Sequence, residues 1–211
     1  MQNELLFGAS GFLGQVVMEE LIEKGYKLTA ITRSFDPLDT KKFRPDVNWV
    51  TADVYQIDEW KDLLEDHSIV INLIGIVQEN PEKGVTFEKV ITGAAKTIAS
   101  PMNGESGYHY IYVSTNLHNS STPEQYRIAK KEAEDYLLRQ VFKTSIVRPS
   151  MMYGRGKDGT TKRAQAILAK INPNSPSWCN RPIAVENVAR TIGTIVADNT
   201  KQMIFENGDI L

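Results

Sequence analysis

The stretch Gly8-Ala9-Ser10-Gly11-Phe12-Leu13-Gly14 constrains this chain more than any other. The residues before it, Glu4–Phe7, read as a short strand, and Phe12–Lys24 read as an amphipathic helix. Glycines at a strand-to-helix turn let the backbone approach a pyrophosphate, while the helix start offers free N–H groups and partial positive charge. The spacing is G-x-x-G-x-x-G rather than the commoner G-x-G-x-x-G. With 14 glycines in 211 residues, chance supplies about 0.06 such triplets. Gly8, Ser10, Gly11, Phe12, Leu13 and Gly14 therefore read as a dinucleotide cradle.

The rest of the chain keeps the same rhythm. Strands are expected at Leu28–Thr32, Trp49–Thr51, Ile69–Ile74, Tyr110–Val113 and Ser145–Val147. Helices are expected near Ile57–Glu65, Phe87–Ala99 and Pro123–Val141. Apolar strands alternating with helices predict an α/β fold: a Rossmann-type doubly wound parallel sheet, strand order 3-2-1-4-5-6, with helices on both faces. After Arg148-Pro149 the glycines Gly154, Gly156 and Gly159 precede a helix to Ile171, then Val185–Ala197 and a short strand near Met203–Phe205. One NAD(P)-binding domain over residues 1–211 is expected, with about 150–211 forming a small C-terminal cap on the substrate side.

Composition removes several classes of function. A net charge of −2 leaves no electrostatic footprint for nucleic acid. The single Cys179 reads as an inert thiol, and with His67, His109 and His118 it shows no metal-ligand spacing. The longest apolar run, Ile69 to Val77, is far short of the roughly 20 residues of a membrane span. The start, Met1 to Phe7, has no basic or long apolar leader, and the first arginine is Arg33. A cytoplasmic protein with a small-molecule substrate is expected; a homodimer is compatible with the sequence.

Arg33 closes the second strand, where an acidic residue would accept the adenosine ribose hydroxyls and an arginine suits a 2′-phosphate. NADP is favoured over NAD, although Asp36 and Asp39 in the following loop keep NAD open. Tyr126 and Lys130 fit Y-x-x-x-K, for which about half a match per chain arises by chance. A second match, Tyr153 with Lys157, contains two glycines, so its spacing has no helical meaning. The first sits early in a helix that Thr122 can cap, with Pro123 at its first position and Gln125 completing a capping box. Four residues apart, Tyr126 and Lys130 share one face, and the ammonium is expected to lower the phenol toward a range useful for acid–base work. Ser114 and Thr115 end the fifth strand, at the edge where ligands of such sheets bind.

Together these residues resemble the short-chain dehydrogenase/reductase superfamily, in its extended and atypical branches. The resemblance covers nearly the whole chain: Gly8–Gly14, Asp53-Val54, Asn72-Leu73-Ile74-Gly75, Ser114-Thr115, Tyr126 with Lys130, and Arg148 to Gly154. Arg181 to Ala189 is similar to a returning segment of nucleotide-sugar epimerases. Val70 to Gly75 and Thr86 to Val90 look most like the group containing the nucleotide-binding accessory subunit of respiratory complex I. The resemblance implies that Asp53 and Val54 contact the adenine, and that Leu73, Ile74 and Gly75 line the adenosine side. It implies that Lys130 holds the nicotinamide ribose, that Tyr126 is the acid/base, and that Pro149 braces the nicotinamide. It also implies that Thr115, or in its place Ser114, binds the reacting oxygen, and it puts Ser114 on the cofactor side. Two departures stand out: Val90 replaces the asparagine of many relatives, and the cap is too small for a bulky sugar nucleotide.

The residues support three readings. The first is an NADP(H)-dependent oxidoreductase of a small carbonyl or alcohol, resting on Thr115, Tyr126 and Lys130. The second is a low-turnover NAD(P)H-binding sensor or assembly scaffold, which the small cap and Val90 favour. The third is an epimerase or dehydratase that retains its cofactor.

Overall fold

Strand β1 (Asn3–Phe7) is the centre from which the layers grow, because it is buried on both faces. Leu6 points into one core while Leu5 and Phe7 point into the other. The computed structural model describes residues 3–36, 38–39, 43–198 and 202–211. Met1 and Gln2, part of the start read for a leader, lie outside the described residues. Around β1 lie β2 (Lys27–Thr32), β3 (Asn48–Thr51), β4 (Ile69–Asn72), β5 (His109–Val113), β6 (Lys143–Val147) and β9 (Ile204–Phe205). They form a seven-stranded sheet, β3-β2-β1-β4-β5-β6-β9, parallel throughout. The expected order holds, with β9 added beside β6.

One face is covered by α1 (Phe12–Glu23) and α5 (Val185–Ala197), whose apolar stripes share a core with Leu6, Ile71 and Ile111. The other is covered by α2 (Ala94–Ala99), α3 (Glu124–Leu137) and the turns around Trp60, packed on Leu5, Phe7, Tyr110 and Tyr112. Beyond β6 the chain forms β7 (Met152–Tyr153), α4 (Asp158–Leu168) and β8 (Ile183–Ala184), with β7 and β8 paired in a separate two-stranded sheet.

Three elements differ from expectation, each for a tertiary reason. Ile57–Glu65 is not one helix but two 3-10 segments, Ile57–Glu59 and Lys61–Asp66. Trp60 between them is pulled to φ −145° as its ring packs edge-on against Phe7 at 5.0 Å and its indole N–H donates to the Val54 carbonyl at 3.1 Å. Phe87–Ala99 contains a π-helix, Glu88–Gly93, before α2 begins. The widened turn receives Tyr55, whose hydroxyl donates to the Lys89 carbonyl and would lie 2.8 Å from a Cβ at Gly93. Finally, α3 has Pro123 as its N-cap and no side-chain cap. Thr122 stands one residue too early for the expected capping box, and Arg127 instead holds the entry by donating to the Thr122 and Leu117 carbonyls, both at 3.2 Å.

Glu4 is an oddity of the sheet interior. It shares its register position with Leu28 and Ile69, on the α1/α5 face. It is fully buried, and neither carboxylate oxygen has a hydrogen-bond partner among the described residues. Burial pushes its carboxyl up to about 7.

Candidate active site

All strands of the main sheet run the same way, so the loops leaving β1 to β6 collect along one carboxyl edge. Gly8 leaves β1 with φ +83°, a conformation that side chains oppose, and a Cβ there would lie 3.0 Å from the Leu73 carbonyl carbon. At Gly14 a Cβ would sit 2.4 Å from the carbonyl oxygens of Gly8 and Ala9. The first turn of α1 is thus pressed onto the loop, as the third glycine of the motif requires. Gly11 is the exposed N-cap of α1 and donates its N–H to the Gly8 carbonyl at 3.1 Å. Ser10 and Phe12 are half-buried, while the Leu13 side chain enters the core. A loop whose backbone leaves room for a diphosphate, closed by the start of a helix, fits a nicotinamide dinucleotide.

The side expected to take the adenosine is built from neighbouring strand ends. The Ala52 N–H donates to the Thr32 carbonyl at 3.0 Å, so the loops carrying Arg33 and Asp53 leave the sheet side by side. Arg33 is exposed. Asp53 is exposed too, with one carboxylate oxygen accepting the Tyr55 N–H at 3.0 Å; Val54 beside it is half-buried. After β4 the buried Asn72 shapes the next wall. Its Oδ1 accepts the Ile74 N–H and its Nδ2 donates to the Tyr110 hydroxyl, both at 2.9 Å. That fixes Leu73, Ile74 and Gly75 beside Gly8. A Cβ at Gly75 would lie 3.6 Å from Lys130 Nζ, so this wall and the lysine are contiguous.

The residues expected at the reacting end come from β5, β6 and α3 and the loops that follow them. Ser114 and Thr115 follow β5 and are both buried; the Ser114 hydroxyl has no partner among the described residues. Ser114 N–H donates to the Val147 carbonyl at 2.8 Å, and Asn116 N–H to the Pro149 carbonyl at 2.9 Å, bringing Pro149 beside Thr115. On α3, Tyr126 packs edge-on against Phe87 at 5.4 Å, and Lys130 Nζ lies 5.8 Å from the Tyr126 ring centroid. The two do share one face. The expected lowering of the phenol is not what this geometry produces: burial pushes Tyr126 up to about 12 and Lys130 down to about 7. Lys130 Nζ donates to the Val113 carbonyl at 2.7 Å and sits 4.8 Å from the Tyr112 ring, so desolvation outweighs the attraction of Glu134.

Sequence reasoning passed over three positioning groups. Asn116 donates to the Ser150 hydroxyl, the Cys179 carbonyl and Asn180 Oδ1 at 2.9–3.0 Å. Asn207 accepts the Ser150 N–H at 2.8 Å and donates to the carbonyls of Cys179 and Arg181 at 3.0 Å. Together they fasten the 179–181 segment to the ends of β5 and β6. Arg148 pairs with the fully buried Glu134 (Nε to Oε1, 3.0 Å) and with Glu206, tying α3, β6 and β9 together. No local pattern announces any of these partners.

Comparison with known proteins agrees with the architecture. The NAD(P)H-binding family model matches residues 8–199. MIOREX complex component 2 of Saccharomyces cerevisiae is 23% identical over 210 residues, covering 76% of each chain. NADH dehydrogenase (ubiquinone) 1 alpha subcomplex subunit 9, mitochondrial, of Arabidopsis thaliana is 30% identical over 154 residues, covering 71% of this chain but only 38% of that relative. The Bordetella bronchiseptica enzyme WbmH, solved with NAD+, superposes with a TM-score of 0.72 at 16% identity over 99% of this chain and 76% of that one. The cytoplasmic expectation is overturned by the plant relative, which is named as mitochondrial. No helix among the described residues is long and apolar enough to cross a membrane.

Proposed function

The chain belongs to the NAD(P)H-binding family, and on that footing we propose that it is an oxidoreductase of the short-chain dehydrogenase type acting on a small carbonyl or alcohol, using NADP(H) in preference to NAD(H). A nicotinamide dinucleotide bound at the cradle supplies or accepts the hydride. Gly8, Gly11 and Gly14 give its diphosphate access to the backbone, and Arg33 meets a 2′-phosphate. Asp53 and Val54 take the adenine side, Leu73 to Gly75 line the cleft, and Ser114 and Pro149 flank the nicotinamide. Thr115 holds the substrate oxygen, and Tyr126 donates its proton to that oxygen in reduction or removes it in oxidation. Lys130 holds the ribose and stabilises the phenolate left behind.

The observation that carries this reading is the shared face of Tyr126 and Lys130, with Lys130 Nζ 5.8 Å from the tyrosine ring, beside the wall formed by Gly75. The test is Tyr126→Phe, which keeps the ring and removes the proton. NADPH oxidation against a panel of aldehydes, ketones and quinones should fall by about 10²- to 10⁴-fold with cofactor affinity unchanged. A variant turning over like the parent refutes the assignment. A second reading, a low-turnover cofactor-binding subunit of a larger assembly, is favoured by Lys130, which is buried with one of its Nζ donors on the Val113 carbonyl. The relatives named as a complex component and as a subunit point the same way. No turnover on any panel member, with cofactor still bound, decides for it.

A further inference from the structure

The loop between β7 and α4 carries two cations, and they have different surroundings. Arg155 pairs with Glu19 on α1 and with Glu186 on α5, the latter at 3.6 Å. Its charge is matched, and it ties the loop to both helices. Lys157 is exposed, and no carboxylate pairs with it among the described residues. Its Nζ lies 4.4 Å from the centroid of the Phe12 ring, and Phe12 is the first residue of α1. An unmatched ammonium therefore stands over the side chain of the first residue of α1, the helix that closes the dinucleotide cradle.

The backbone builds this placement. Gly154 and Gly156 have φ +131° and +68°, conformations that turn the chain back on itself and that side chains resist. A Cβ at Gly154 would lie 3.0 Å from Val185 Cγ1, so the loop is pressed onto the start of α5. Thr161 then accepts the Gly154 N–H at 3.2 Å and donates to the Lys157 carbonyl at 3.0 Å. The glycines that deny helical meaning to the second Y-x-x-x-K match are the ones that fold its lysine over Phe12.

We infer that Lys157 is a further cofactor-binding residue, its ammonium pairing with the diphosphate of the dinucleotide from the side opposite the α1 backbone. The inference rests on the dinucleotide-binding reading of the cradle. Helix N–H groups hold one side of the anion, and a flexible four-carbon stem lets the ammonium follow it from the other. Because the contact is to the diphosphate, it is blind to the 2′-phosphate, unlike Arg33.

The test is titration of the full chain with NADH, NADPH and ADP-ribose at two salt concentrations, for the parent, Lys157→Met, Lys157→Arg and Lys170→Met. Lys170 lies beyond the far end of α4 and controls for net charge. Lys157→Met should weaken all three ligands by about tenfold and flatten their salt dependence. Lys157→Arg should stay within about threefold of the parent, and Lys170→Met should match it. Melting without ligand checks that Lys157→Met is folded. Parental affinity in Lys157→Met overturns the inference, as does a loss confined to NADPH, and neither outcome touches the cradle. A parent that does not bind ADP-ribose takes both readings down together.

Discussion

Glu4→Gln isolates the energetic consequence of a carboxyl sealed beneath α1 and α5. The side chain is fully buried without a hydrogen-bond partner among the described residues, and desolvation raises it from 4.5 to about 7. Folding therefore holds a proton on Glu4 that the unfolded chain releases above 4.5. Because the folded state binds more protons in this window, stability falls as pH rises from about 4.5 to about 7 and is flat above it. The full difference corresponds to about 3 kcal/mol, of which roughly 2–3 kcal/mol is lost between pH 5 and pH 8. For a chain of this size that is a fall in melting temperature of about 5–10 °C. Glutamine cannot ionise, so the variant escapes this pH-dependent loss while keeping a constant cost for its own buried amide. The assay is thermal and urea unfolding of both proteins at pH 5, 6, 7 and 8. Glu4→Gln should gain on the parent from pH 5 to pH 7 and level off by pH 8. Parallel pH profiles, with the two curves a constant distance apart, would refute the reasoning.

Three further outcomes are expected. Gly14→Ala puts a Cβ where carbonyl oxygens stand 2.4 Å away; it should cost about 1–3 kcal/mol by urea unfolding and weaken NADH binding by at least about tenfold, and parental binding would show that the helix start does not form the cradle. Arg148→Met leaves the buried Glu134 carboxylate without its partner and should cost about 3–5 kcal/mol, with Arg148→Met/Glu134→Leu recovering much of it; a loss under about 1 kcal/mol in the single variant would contradict the burial argument. Arg33→Asp should reverse or erase a preference for NADPH measured by fluorescence titration, and equal affinities of the parent for NADPH and NADH would remove Arg33 from specificity.

Local order in the chain was enough to determine the layers. The glycine triplet sits between β1 and α1, the apolar strands recur between helices, and the sheet order follows from that alternation. The spacing of Tyr126 and Lys130 was also readable, because a helix converts four positions into one face. The elements that departed are those where a distant residue intervenes. Trp60 breaks a helix to reach Phe7, Tyr55 widens a turn to reach Lys89, and α3 begins without the cap its sequence offers.

The electrical state of the site and the fastening of its far side were settled in three dimensions. Tyr126 is raised and Lys130 lowered because burial removes water from both; spacing along a helix says nothing of what packs over it. Asn116 meets Asn180 across 64 positions, Arg148 meets Glu206 across 58, and Arg155 meets Glu19 across 136. A hydrogen bond or ion pair needs atoms within a few ångströms, and the chain carries no mark of which distant atoms those will be until the sheet has brought its strand ends together. Patterns that act over one or two turns are written in order along the sequence; desolvation and long-range partnership arise when the layers close.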